Sequence, residues 1–171
     1  LNTARCSMLE YAPTDWVFTV SSVPLNGCVI QPGVDLKCPM TNPTNTEVPG
    51  TRSQLGYGFY NSQLIANFAG TTGIFSANNF AVSYKDPTTG ANIPWGLPSL
   101  DELVLLCNWA NGSFPRTDAC VPNSLKPGYK PDFYLSSTVS AEPSSPVFAV
   151  NFGTGAIVKQ SRSVASYMRP V

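Results

Sequence analysis

The chain contains no histidine. That absence rules out Ser-His and Cys-His catalytic pairs and denies a zinc site its usual nitrogen ligand. The S-x-x-K spacing of serine–lysine enzymes is missing, and so are a Walker loop, an EF-hand spacing and any C-x-x-C pair. Gly56-x-Gly58 is no dinucleotide loop, because Asn61 stands where the third glycine would be. No apolar run approaches the roughly 18 residues of a membrane helix. Charge is scarce as well, at 12% of residues against roughly 25% in ordinary soluble domains. The expectation is a protein with no catalytic residue, no metal, no cofactor, no nucleic-acid partner and no membrane insertion.

What is present is a chain of 171 residues, 43% of them apolar, with 16 prolines and abundant Ser, Thr, Asn and Gly. A chain of this size buries about 70% of its unfolded surface in one core. The mixture suits a loop-rich, β-containing domain. Leu1 in place of an initiator Met leads us to expect an N-terminal portion removed or omitted before it. Residues 1–12 are expected to be a stalk end or lead-in helix, and 13–171 a single binding domain.

Five cysteines stand at 6, 28, 38, 107 and 120. Local pairing, Cys28 with Cys38 and Cys107 with Cys120, closes two short Pro/Asn-rich loops and leaves Cys6 over. Each bridge contributes about 3 kcal/mol if unstrained. Paired cysteines imply an oxidising compartment, hence a secreted or cell-surface protein; the alternative is five reduced thiols inside a cell.

Strands are expected over 16–23, 56–60, 80–84, 133–137, 147–152, 156–159 and 164–168, with loops over 24–55 and a brief helix over 62–68. The clearest helix is 100–110. Ser99 and Glu102 form an S-x-x-E capping box, Leu100, Leu103, Val104 and Cys107 make one apolar stripe, and Asn111-Gly112 ends it. Asp101 and Glu102 read as first-turn acids that favour the helix dipole rather than as an acid–base pair. One capped helix among antiparallel hairpins is an α+β architecture.

Net charge is zero but uneven: residues 1–118 carry five basic against eight acidic side chains, and 119–171 five basic against two. Lys126 and Lys130 flank the Pro127-Gly128 turn, while Lys159 and Arg162 lie between the last two strands. If these four converge, and an oligomer multiplies them around an axis, they form a face that attracts polyanions and weakens with salt. Trp109, near the helix end, is a candidate stacking face for a sugar, whereas Trp95 beside the Leu97-Pro98-Ser99 turn is expected in the core.

Four segments carry a family likeness. These are Trp95-Gly96-Leu97-Pro98-Ser99-Leu100-Asp101-Glu102-Leu103, Phe133-Tyr134-Leu135-Ser136-Ser137-Thr138, Val147-Phe148-Ala149-Val150-Asn151-Phe152-Gly153-Thr154-Gly155 and Tyr167-Met168-Arg169-Pro170-Val171. In this order they resemble the bacterial extracellular family typified by the C-terminal domain of the Legionella collagen-like adhesin. The resemblance spans about residues 94–171. It implies a C-type-lectin-like fold and a homotrimeric adhesin head whose partners are sulfated glycosaminoglycans or other host surface polyanions. A structural or protein-binding tip, of minor-pilin or phage receptor-binding type, is the alternative. Gly96 replaces the family's usual Arg and Leu135 its usual Trp. Glu142-Pro143-Ser144 and Lys130-Pro131-Asp132 are only partial likenesses of lectin calcium motifs, and the motif residues themselves, Arg169 among them, read as structural.

Overall fold

A capping box, an apolar stripe and an Asn-Gly stop should fix a helix from within its own sequence, and residues 100–110 form one. The computed structural model describes residues 11–12, 28–29, 33–40, 50–68, 89–91, 95–113, 119–142 and 146–171. Most of the expected helix 1–12, the expected strands 16–23 and 80–84, and Cys6 lie outside them. The described residues form β1 (Leu36–Cys38), α1 (Gly58–Phe68), α2 (Leu100–Ala110), β2 (Phe133–Val139), β3 (Val147–Asn151), β4 (Ile157–Gln160) and β5 (Ser166–Met168). The fold is α+β.

The sheet runs β1-β5-β2-β3-β4. Pairing is antiparallel except between β2 and β5, where Tyr134 aligns with Tyr167. Successive strand residues point to opposite faces, so β2 feeds two cores at once. Leu135 and Val139 join Leu36, Met40, Ile65, Trp95, Leu97 and Met168 on one face. Tyr134 joins Leu103, Leu106, Tyr129, Val150 and Phe152 on the other. Leu135 is fully buried.

The register of β2 against β3 shifts between Leu135 and Val139. The shifted residues are Ser136, Ser137 and Thr138, and their hydroxyls do structural work. Ser136 Oγ donates to Phe148 O at 2.8 Å, Ser137 Oγ donates to Pro98 O at 3.1 Å, and Thr138 Oγ1 accepts from Leu100 N at 2.9 Å. The bulge thus turns the strand's polar groups onto the start of α2.

Both ends of α2 are satisfied. Ser99 Oγ accepts from Glu102 N, Glu102 Oε2 accepts from Ser99 N at 2.7 Å, and Asp101 N donates to Ser53 O at 2.9 Å. At the other end the carbonyls of Cys107, Asn108, Trp109 and Ala110 accept from Asn111, Ser113, Gly112 and Lys126. The eight groups that helix ends usually leave open are the main liability of a short helix, and here the cap and the loops meet them.

Two expectations need correction. Residues 56–60 are not a strand: the chain enters α1 at Gly58, so the helix is longer than the expected 62–68. The reason is tertiary. A Cβ on Gly58 would lie 2.7 Å from Leu97 O, and one on Gly96 would lie 2.6 Å from Phe59 Cα, so two glycines let backbones touch where side chains would separate them. Residues 24–55 are not loop throughout either, because Leu36–Cys38 pairs with β5 and Val29 bridges Lys37.

Candidate ligand-binding surface

The two expected disulfides are present, Cys28–Cys38 with Cα atoms 4.3 Å apart and Cys107–Cys120 with Cα atoms 5.6 Å apart. The second fixes the loop that carries the basic candidates. Buried Asn108 donates to Ala119 O at 3.0 Å and accepts from Val121 N at 2.8 Å. Asn111, also buried, donates to Phe152 O at 3.0 Å and accepts from Asn123 N at 2.9 Å. Residues 119–126 are therefore clamped to the end of α2 by amide side chains as well as by sulfur.

Lys126 emerges from this clamp. Its ammonium lies 3.3 Å from the centre of the Trp109 ring, a cation–aromatic contact at the partly exposed end of α2. Gly128, with φ of 90°, completes the Lys126-Pro127-Gly128-Tyr129 turn, where Tyr129 N donates to Lys126 O at 3.3 Å. Lys130 follows, its backbone N–H donating to Tyr134 Oη at 3.0 Å. Among the described residues neither Lys126 nor Lys130 enters an ion pair. Trp109 is not an open face, since Tyr11 packs at 4.4 Å and Tyr129 at 6.0 Å between ring centres.

The other two candidates stand apart. Lys159 lies on β4 opposite Phe148, toward the far end of the hairpin from Pro131 and Gly153, and is ion-paired with Glu142. Arg162, expected on the basic face, is corrected to an interior residue: it is 3% exposed, and burial holds its pKa below the usual arginine value. Its carbonyl accepts from Met40 N at 2.9 Å. The structure mounts Lys126 on Trp109, with Lys130 four residues on past the same turn, and separates Lys159 and Arg162 from them.

Beneath this surface runs a charged core that the sequence hinted at only through Arg169. Arg169 Nε pairs with Asp35 Oδ1 at 2.5 Å, with both side chains essentially buried. Arg169 Nη1 also donates to Ala12 O at 2.7 Å, and the guanidinium covers the Tyr129 ring at 4.5 Å. Burial, reinforced by the Asp35 charge and opposed by Arg169, pushes the Tyr129 and Tyr134 phenols well above the ordinary tyrosine value. Tyr134 stacks on Phe152 at 4.0 Å and on Tyr167 at 5.5 Å. Lys37 caps the ladder over Tyr167 and pairs with Asp132 at 2.9 Å. Burial raises the Asp132 carboxyl, but the Lys37 hydrogen bond and charge and the Phe133 amide outweigh it and hold it below its usual value.

No group of three or more Cys, Asp or Glu side chains is placed to hold a metal ion among the described residues. No helix among them is long and apolar enough to cross a membrane. Comparison with protein-family models, with curated proteins and with solved structures found no match to this chain.

Proposed function

We propose that this domain is a C-type-lectin-like adhesin head, secreted or held at a bacterial surface, that binds sulfated polysaccharide and works as a homotrimer. The observation that carries the reading is Lys126 mounted on Trp109 beside Lys130, two cations without carboxylate partners among the described residues, on a loop fixed by a disulfide and two buried asparagines. A cation fixed on an indole loses little freedom when an anionic ligand arrives. The four family-like segments support the fold assignment: Gly96 and Val171 exchange backbone hydrogen bonds at 3.0 and 3.1 Å, Ser137 meets Pro98, and β2 pairs with both β3 and β5. Two disulfides fit an oxidising compartment.

One observation favours a protein-binding or structural tip instead. Ile157, on edge strand β4, is 43% exposed and Val121 is 44% exposed, and Gly155 brings their loops together by its approach to Cys120 O and Pro122. Heparin-column retention over a salt gradient, with light scattering on the same samples, separates the two. The adhesin reading expects a trimer whose retention falls with salt and falls further in a Lys126→Ala/Lys130→Ala variant. A folded oligomer that passes straight through heparin at low salt overturns it in favour of the tip.

A further inference from the structure

We propose that Arg52, Tyr57 and Tyr60, at the entry to α1, form a second and separate subsite for an acidic saccharide; this rests on the polysaccharide reading above. The cluster lies outside the family-like segments.

Three properties set it apart from ordinary surface. Large apolar faces meet solvent there, since Phe59 is 37% and Tyr60 49% exposed. The rings are ordered, with Tyr57 and Tyr60 edge to face at 6.1 Å. A cation is fixed on them: the Arg52 guanidinium sits 4.9 Å from the Tyr57 ring centre, and its Nη1 donates to Tyr57 Oη at 2.8 Å. Among the described residues Arg52 meets no carboxylate.

The mounting is stiff from below. Fully buried Asn61 holds both backbone groups of Arg52, accepting from its N–H at 2.9 Å and donating to its carbonyl at 2.7 Å. Thr138 Oγ1 donates to the same carbonyl at 3.1 Å, and Thr51 Oγ1 accepts from Val139 N at 3.0 Å. Core residues thus fix the Arg52 backbone while its side chain points to solvent, the arrangement a binding group needs from its supports. The chemistry selects the ligand class. An aromatic ring packs against the C–H face of a sugar, and a planar guanidinium pairs in a forked geometry with a sulfate or carboxylate. Tyr57 is the positioning residue, holding Arg52 by ring and hydroxyl.

The test measures binding to immobilised heparin as a function of salt, for wild type, Arg52→Ala, Tyr60→Ala, Tyr57→Phe and Lys126→Ala/Lys130→Ala, with thermal melts confirming each fold. Arg52→Ala is expected to weaken binding about tenfold or more and to reduce the salt slope by about one. Tyr60→Ala is expected to weaken it about threefold to tenfold, and Tyr57→Phe less than Arg52→Ala. If Arg52→Ala and Tyr60→Ala bind as wild type does while the lysine variant loses affinity, the subsite is overturned and the polysaccharide reading stands. If folded wild type shows no affinity for heparin, both are overturned.

Discussion

The two helices among the described residues have the same length, 11 residues, and opposite origins. α2 carries its own instructions: Ser99 and Glu102 cap it, Asp101 and Glu102 supply acids to its first turn, and one side is apolar. α1 has no acid in its first turn and no base in its last. It is held by contacts from elsewhere, through Gly58 against Leu97, Gly96 against Phe59, and Asn61 around the Arg52 backbone. The helix written locally is mostly buried, with partly exposed Trp109 near its end carrying Lys126. The helix imposed by tertiary contact exposes Phe59 and Tyr60 in its first turn, next to the Arg52–Tyr57 pair that precedes it.

Glu102 joins the two, accepting from Gly56 N at 2.7 Å with one carboxylate oxygen and from Ser99 N with the other. Glu102→Ala strands both amides and is expected to cost about 2–5 kcal/mol, read from urea unfolding. This is the largest effect foreseen. Gly96→Ala drives a Cβ into the backbone of α1 while leaving α2 capped. It is expected to cost about 1–3 kcal/mol, with amide exchange accelerated in residues 58–68 and little changed in 100–110.

Alkaline titration tests the aromatic core under α2. Because the Tyr129 and Tyr134 pKa values are raised in the folded state, the unfolded chain ionises first. Their contribution is complete below about pH 10 and is lost as pH rises, by about 1.4 kcal/mol per unit for each phenol. Urea midpoints should fall accordingly between pH 10 and 11, and Tyr129→Phe should flatten the slope. Ser99→Ala is smaller, about 1 kcal/mol, and should loosen α2 alone. Arg52→Ala is expected to change stability least, by less than about 0.5 kcal/mol, because its side chain is exposed.

Where the sequence was legible, the determinants were local. The cap of α2, the turn around Gly153–Gly155 and the two short cysteine loops each lie within a dozen or so residues, so composition and spacing suffice. Gly58 and Gly96 are 38 positions apart in sequence, and neither announces the backbone that closes on it, Leu97 and Pro98 on Gly58 and Phe59 on Gly96. Tyr57, Phe59 and Tyr60 favour strands, and tertiary packing overrode that preference. The same holds for the candidate site. Lys126 and Lys130 share one turn, so spacing alone places them near each other; Arg162 is buried, and nothing local distinguishes an exposed arginine from an interior one. The Asp35–Arg169 pair joins residues from opposite ends of the described chain, and only the closing motif pointed to half of it.

The most direct test of whether the entry to α1 carries part of the binding surface is the heparin affinity of Arg52→Ala beside that of Ser99→Ala, measured at one salt concentration below both melting temperatures. Arg52→Ala is expected to keep its stability and lose about tenfold in affinity, whereas Ser99→Ala melts earlier and binds as wild type does. Undiminished affinity in Arg52→Ala, or a loss confined to Ser99→Ala, would contradict a binding role for the α1 entry.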